Sequence, residues 1–299
     1  MKRLQSFLAA ACICAAASAQ APSALNLEGR EFPRINRDNS VTFVFDAPQA
    51  TSVTISCGKD YPMTKDKDGR WTVTTEPMVE GFHYYSVKVG GLSFADPATY
   101  TFYGTGRDCS ALEVPENAKD AAYYTPSRDV PQGAVRSVKF KSDVCGQYRR
   151  MFVYTPAGYE QDSGRRYPVL YLQHGGGPQQ MDVSLDKLLA SGEAEPMIVV
   201  MNSGYARHPG SSDSFDAFEE MITDEVIPFV DKRYRTMADR EHRAVAGLSW
   251  GAKQAYDLAF GHPEYFSYVS GFSGIIVIGE FNRSNPGFKD PEKLRSAYN

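Results

Sequence analysis

The run Arg243–Gly261 constrains the fold of this chain more than any other stretch. It begins with small apolar residues, typical of a strand buried on both faces of a parallel sheet, and continues as Gly-Leu-Ser-Trp-Gly around Ser249. The residues after Trp250 have the apolar spacing of a helix, which Gly261 and Pro263 are predicted to end. A turn this tight leaves no room for side chains at the two flanking glycines. The serine hydroxyl is therefore predicted to stand clear of the sheet.

A strand, a sharp turn and a helix around a serine are typical of the nucleophile elbow of α/β-hydrolases. A second glycine motif lies upstream, where an apolar strand ends in His174–Gly177. In hydrolases such a loop turns backbone N–H groups toward an oxyanion, and the residue after the nucleophile adds another. We therefore predict Ser249 as the nucleophile, and the N–H groups of Trp250 and of Gly175 or Gly176 as the oxyanion hole. Each motif alone is compatible with an ordinary glycine turn, but together, in this order, they indicate a serine hydrolase.

Composition and charge narrow the class of protein. The chain is 42% hydrophobic and 23% charged, with a net charge of −4 and no basic stripe, so nucleic acid is not an expected partner. Two of its five cysteines lie near the N-terminus. The other three, Cys57, Cys109 and Cys145, allow one pair at most, and their spacing matches no zinc site. We interpret them as structural residues and expect no metal.

The N-terminus has the pattern of a secretory signal peptide over Met1–Ala19: two basic residues, a short apolar run and an Ala-Ser-Ala cleavage site. A lipoprotein signal ending at Cys12 or Cys14 is a weaker alternative, because cleavage there would shorten the apolar run. That run is too short for a stable membrane span, and no other stretch of the sequence is a candidate. The mature protein is predicted to be secreted or periplasmic.

Residues 25–103 predict a small all-β domain. Short alternating strands are separated by turn signals such as Asp68-Gly69 and Gly90-Gly91, which favours an immunoglobulin-like sandwich. Trp71 is interpreted as a core residue, with a sugar platform as the alternative. The residues around Trp71, with Asp96-Pro97, resemble early-set modules related to carbohydrate-binding module family 48. Residues 104–133 are predicted to be a linker.

Residues 134–299 predict an α/β domain. Alternating strands at 135–142 and 148–154 indicate a hairpin, whereas continuous apolar runs at 169–173 and 198–201 indicate central parallel strands. Short strands alternate with helices at 186–191 and 213–230, for which Asp213 is the predicted cap and Pro228 a predicted kink. A further strand is expected at 268–272. This order predicts a doubly wound sheet.

Four segments carry a resemblance to a known family. They are Tyr154–Tyr159, Pro168–Gly177, Arg243–Gly251 and Phe266–Gly274. Over about residues 128–299 the chain is similar to the esterase family that contains carbohydrate esterase family 1, the feruloyl and acetylxylan esterases. The β-domain ahead of it looks like that of secreted xylan-degrading esterases. The resemblance implies hydrolysis of ester groups on plant cell-wall polysaccharide or oligosaccharide, without metal or cofactor.

The predicted catalytic set departs from the family pattern, in which an acid and then a histidine follow the serine. The only histidine after Ser249 is His262, and the elbow helix carries it on the order of 15 Å away. A base must lie within about 3 Å of the hydroxyl, or one water away. His83 is expected in the sandwich. His242 is expected at the end of the elbow strand that is far from the serine.

Two further histidines are predicted to lie near the substrate. His174 belongs to the loop that carries the predicted oxyanion donors, and His208 lies in a loop after a strand, where a solvent-facing position is the alternative. We expect the hydrolase domain to be incomplete at its C-terminus, where the histidine and acid of the family would follow. Two alternatives stay open for function. One is an acetylxylan esterase, and the other is a non-catalytic carbohydrate-binding or surface protein that retains the hydrolase scaffold.

Overall fold

The computed structural model describes residues 21–104, 107–116, 129–175 and 185–274. The chain divides into two compact units. The first consists of Met1–Phe102 with Asp108–Glu116, and the second of Tyr103–Arg107 with Asn117–Asn299.

The first unit is built of short strands arranged in two sheets. Its strands are β1 (Ala21–Pro22), β2 (Arg34–Ile35), β3 (Val41–Asp46), β4 (Val53–Cys57), β5 (Lys59–Pro62), β6 (Thr64–Lys65), β7 (Arg70–Thr74), β8 (Gly81–Val89), β9 (Leu92–Phe94), β10 (Thr101–Gly104) and β11 (Arg107–Val114). One sheet has the order β1-β2-β3-β7-β6 and the other β10-β11-β8-β4-β5, with β9 paired to β8.

Side chains of both sheets form one hydrophobic core. Phe43 and Trp71 come from the first sheet, and Ile55 and Val87 from the second. The alternating burial of β4 is what a strand with one face on a core requires. Trp71 is 6% exposed and its indole N–H donates to the carbonyl of Ala47 at 2.9 Å. It is a core residue, whereas the immunoglobulin-like class of the unit stays a prediction.

The predicted linker over 104–133 contains a strand. β11 pairs with β8 in antiparallel register, with Leu112 opposite His83. Ser110, Ala111 and Leu112 are consecutive and fully buried. A strand buried on both faces has no polar alternation, and for this reason the sequence pattern did not reveal it.

The second unit holds a six-stranded sheet. Its elements are β12 (Ala134–Ser142), β13 (Gln147–Thr155), β14 (Val169–Gln173), α1 (Leu185–Ser191), β15 (Ile198–Asn202), the helical run α2 (Phe218–Glu220, Met221–Val226 and Ile227–Arg233), β16 (Arg243–Leu248), α3 (Trp250–Gly261) and β17 (Tyr268–Phe272). The order is β12-β13-β15-β14-β16-β17. β13 is antiparallel to both neighbours, while β15, β14, β16 and β17 are parallel. The predicted hairpin and central parallel strands are confirmed.

Both faces of this sheet are covered, as in a doubly wound fold. Val200 and Val245 pack on one face with Leu258 of α3 and residues of α2. Val199 packs on the other face, where Leu189 of α1 is among the partly buried residues. Because successive strand residues point to opposite faces, the continuous apolar run of β15 supplies both layers.

The helix α2 differs from the expectation at its start and its middle. It consists of Phe218–Glu220, the π-helix Met221–Val226 and Ile227–Arg233. The carboxylate of Asp213 accepts from the N–H of Phe215 in a local turn, and does not cap the helix. In place of a simple kink at Pro228, the N–H of Ile227 bonds the carbonyl of Ile222, five residues back. This wider pattern precedes a proline that has no N–H of its own to donate.

Candidate active site

Ser249 lies in the turn between β16 and α3 with a backbone that few residues adopt. Its φ is 55° and its ψ −115°, and the residue is exposed. Its N–H donates to the carbonyl of Phe272 in β17 at 2.8 Å, and its carbonyl accepts from the N–H of Ala252 at 3.0 Å. A strained conformation persists only where the surrounding structure fixes it. Here a strand and a helix hold the serine from both sides.

The two glycines that flank the serine are required by close backbone approach. A Cβ at Gly247 would overlap the carbonyl of Gly251. A Cβ at Gly251 would lie 2.5 Å from the carbonyl oxygens of both Gln173 and His174. The first contact closes the turn, and the second places the start of α3 directly against the end of β14. The collisions that the sequence predicts for these positions are therefore present.

The predicted oxyanion residues lie on these two elements. Trp250 is the first residue of α3, where backbone N–H groups have no partner within the helix. Gly175 follows the end of β14 and is buried. Gly176 lies outside the described residues. The role of these N–H groups at an oxyanion stays a prediction.

The ring of His174 is engaged on both sides. Its Nδ1 donates to the carbonyl of Gly175 at 2.6 Å, and its Nε2 accepts from the N–H of Gly204 at 3.0 Å. This pattern requires the neutral imidazole with the proton on Nδ1. Burial lowers the pKa of His174, which favours the same neutral form. Both ring nitrogens therefore have backbone partners, at Gly175 and at Gly204, and the expectation that this histidine binds substrate stays a prediction.

His208 lies in the loop after β15 and faces a carboxylate. Its Nε2 is 3.6 Å from Oε2 of Glu220, and its backbone N–H donates to Asp216. The side chain is 40% exposed. Its place in a substrate cleft stays a prediction.

The other histidines have partners away from the serine. All five histidines of the sequence fall within the described ranges, and in those ranges none hydrogen-bonds Ser249. The remaining contacts are His83 with the carbonyl of Val79, His242 with Asp239 and His262 with Glu219. The described residues thus provide the elbow but no histidine base beside it.

A row of aromatic rings connects the elbow with the loop that begins at His174, called the oxyanion loop below after its predicted role. Trp250 contacts Phe215 at 4.8 Å between ring centroids, Phe215 contacts Tyr205 at 5.3 Å, and Tyr205 contacts His174 at 5.6 Å. Trp250 stays 39% exposed beside the serine, with the ammonium group of Lys253 over its ring at 5.5 Å. Sequence reasoning missed Tyr205 and Phe215 as members of the site, because no local signal links them to it.

No metal centre is present in the part of the chain that the structure describes. There, no three His, Cys, Asp or Glu side chains are grouped closely enough to hold an ion. None of Cys57, Cys109 and Cys145 forms a disulfide. No helix among the described residues has the length and apolar character to cross a membrane.

Comparison with known proteins places the same region in a family. A family model described as Putative esterase matches residues 142–292. The chain is 38% identical over 294 residues to an endo-1,4-beta-xylanase/feruloyl esterase of Xylanibacter ruminicola, covering 92% of this chain and 39% of that protein. It is 34% identical over 145 residues to an esterase of Mycobacterium tuberculosis, covering 46% of this chain and 31% of that protein. The chain therefore spans less than half the length of either relative.

Among solved structures, the enterochelin esterase from Shigella flexneri superposes with a TM-score of 0.57 at 19% identity. The match covers 86% of this chain and 82% of that one. At this identity the likeness shows a shared fold alone.

Proposed function

Because this chain belongs to the esterase family, we propose that it is a serine esterase whose nucleophile is Ser249. The observation that carries the proposal is the backbone of Ser249, held at a φ of 55° between two glycines that tolerate no Cβ. Such a turn costs energy, and its effect is to present an exposed serine at the carboxyl ends of the parallel strands. Ligands of open α/β sheets bind at that end.

The reaction follows from this placement. The Oγ of Ser249 attacks the carbonyl carbon of the ester, and the carbonyl oxygen becomes an oxyanion. The N–H of Trp250 donates to this oxyanion, and the loop that starts at His174 is expected to supply a second donor. A base takes the serine proton and returns it to the departing alcohol, leaving an acyl-enzyme that water hydrolyses.

We propose ester groups of plant cell-wall polysaccharide as the substrate, with a feruloyl group as the acyl part. The name of the Xylanibacter ruminicola relative supports this class, because it combines a xylanase with a feruloyl esterase. The exposed face of Trp250, next to Phe215, suits a planar aromatic acid. An acetylxylan esterase is the alternative, and such an enzyme has no need of an aromatic surface at this position.

Two further parts of the proposal concern the N-terminal half. We propose that the protein is secreted or periplasmic, on the pattern of residues 1–19, which lie outside the described residues. We also propose an immunoglobulin-like class for the first unit. Its two sheets with a shared core support that class.

The test is hydrolysis of methyl ferulate and p-nitrophenyl acetate by the product of the complete reading frame. Catalysis needs a base beside Ser249, and none of the five histidines hydrogen-bonds Ser249 in the described residues. For this reason the complete product is used. We expect Ser249→Ala to abolish turnover of both esters, since no acyl-enzyme forms without the hydroxyl. Near-wild-type turnover by a folded Ser249→Ala variant would refute the assignment. Because p-nitrophenyl acetate has an activated leaving group, the acyl preference is measured with an acetylated xylo-oligosaccharide, and turnover of that ester equal to or faster than that of methyl ferulate would refute the feruloyl part alone.

The engagement of all five histidines elsewhere favours one other candidate, a non-catalytic carbohydrate-binding or surface protein. The same assay separates the two. A product without Ser249-dependent turnover that binds xylan oligosaccharides in calorimetry would support the binding protein.

A further inference from the structure

The two halves of the candidate site come from separate parts of the chain. The elbow follows β16, and the loop that begins at His174 follows β14. An oxyanion hole works only when its donors lie about 2.7–3.1 Å from the oxygen. The distance between elbow and loop must therefore be fixed. The close approach of Gly251 to the end of β14 limits this distance but leaves the orientation of the loop open.

Gln254 reaches from the elbow helix to a third segment, the loop after β15. It lies one turn into α3 and is 4% exposed. Its Nε2 donates to the carbonyl of Gly204 at 2.8 Å. A Cβ at Gly204 would lie 2.5 Å from Oε1 of Gln254, so the side chain lies directly against this backbone.

Gly204 continues the connection to the oxyanion loop. Its N–H donates to Nε2 of His174 at 3.0 Å, and Nδ1 of His174 donates to the carbonyl of Gly175 at 2.6 Å. The carbonyl and the N–H of a single glycine thus join the helix to the loop. The guanidinium of Arg149 donates to the carbonyls on either side, Ser203 at 3.0 Å and Tyr205 at 2.5 Å. This segment is therefore held on its strand side as well.

A second set of contacts follows the same route. The aromatic row from Trp250 through Phe215 and Tyr205 also ends on the ring of His174. Two independent chains of contacts, one of hydrogen bonds and one of rings, therefore start on the first turns of α3 and meet at one imidazole.

We propose that Gln254 is a positioning residue, which fixes the oxyanion loop relative to the elbow through Gly204 and His174. Its effect on catalysis rests on the proposed esterase function, while its effect on His174 does not. Substrate binding does not need this alignment, but the oxyanion of the transition state does. Loss of the connection should therefore lower kcat and leave KM nearly unchanged.

The experiment uses the product of the complete reading frame with the substitution Gln254→Glu. This variant keeps the shape of the side chain and removes the N–H that Gly204 accepts. Gln147→Glu is the matched control, since Gln147 is exposed at the start of β13. We expect Gln254→Glu to lower kcat for methyl ferulate by about tenfold, below the effect of losing an oxyanion donor outright. The control should retain wild-type kcat.

The substitution His174→Asn separates positioning from general destabilisation. A glutamine there can still accept from the N–H of Gly204, whereas an asparagine reaches only the Nδ1 position. We expect His174→Asn and Gln254→Glu to be non-additive, because each breaks the same connection. Additive losses in kcat would overturn the proposal. If Gln254→Glu does not fold, Gln254→Met, which is neutral and of similar length, replaces it.

A second readout is independent of turnover. The imidazole ¹⁵N resonances of His174 report its tautomer and the bond at Nε2, and His174→Asn assigns them. We expect Gln254→Glu to shift the Nε2 resonance and Gln147→Glu to leave it in place. An unshifted resonance would overturn the proposal, whether or not the protein is an esterase. A shifted resonance in a protein without Ser249-dependent turnover would instead refute the proposed function and leave the connection standing.

Discussion

Replacement of Gly251 by alanine should have two opposing effects on the free energy of unfolding. Gly251 is the second residue of α3. Alanine is favoured over glycine by about 1 kcal/mol in a helix interior, so propensity alone predicts a more stable protein. The new Cβ would, however, lie 2.5 Å from the carbonyl oxygens of Gln173 and His174.

The steric effect is the larger of the two. Ordinary contact begins at 3.4 Å, so either the helix or the end of β14 must move by roughly 1 Å. The obstructing atoms belong to the backbone of a central strand and cannot rotate away. Overpacking lowers the free energy of unfolding by about 1–3 kcal/mol. For Gly251→Ala we expect the upper value of this range, because the backbone cannot rotate away. After the helix gain is subtracted, we expect Gly251→Ala to lower the free energy of unfolding by about 2 kcal/mol.

The assay is urea unfolding followed by the fluorescence of Trp250, in a common Trp71→Phe background that removes the only other tryptophan. With a slope of about 2 kcal/mol per molar urea, the midpoint should fall by about 1 M. Gly164→Ala is the control, because its Cβ would meet only the carboxylate of Asp162, at 3.6 Å. Its midpoint should stay within the small range of surface substitutions.

An unchanged or higher midpoint for Gly251→Ala would refute this reasoning. It would mean that helix propensity outweighs the contact with β14, and that the glycine is not required by the approach of the two backbones.

Two further predictions concern charges in the second unit. Arg243→Met should lower the free energy of unfolding by about 3 kcal/mol, because Asp231, 18% exposed and 2.6 Å from the guanidinium, would lose its cationic partner and keep only the hydrogen bond from Thr236. Urea unfolding measures the loss, and adding Asp231→Leu should recover most of it. The hydrogen bond to Glu219 raises the pKa of His262, so its stabilisation is full below about pH 6.5 and is lost as the pH rises through the folded-state pKa. The difference in unfolding free energy between the wild type and His262→Gln should therefore be larger at about pH 5.5 than at about pH 9, and an equal difference at both would contradict the assignment.

Local patterns predicted the elbow and the sheet of the second unit well. The flanking glycines, the apolar strands and the stop at Gly261 are all short-range signals, and each acts within a few residues of Ser249 or of a strand. The strand at 268–272 was likewise visible from its own composition.

The parts that were missed depend on contacts between distant positions. Gln254 donates a hydrogen bond to Gly204, fifty residues away, and the ring of Tyr205 contacts that of His174 from another loop. Neither contact has a sequence signature. The sequence pattern does not predict β11, because burial on both faces removes the alternation of apolar and polar residues that indicates a strand. The start of α2 was placed too early because Asp213 is as suitable for a local turn as for a helix cap.

The hydrogen bond between the N–H of Ser249 and the carbonyl of Phe272 makes the proposed nucleophile depend on β17, the last strand in the described sheet order. Local opening of the pairing between β17 and β16 costs less free energy than global unfolding. When β17 separates, the serine loses one of the two anchors that hold its strained backbone, although the remaining core is intact. Inactivation on warming should accordingly precede melting of the helices. The temperature that limits activity would then be set by this strand and not by the stability of the whole unit.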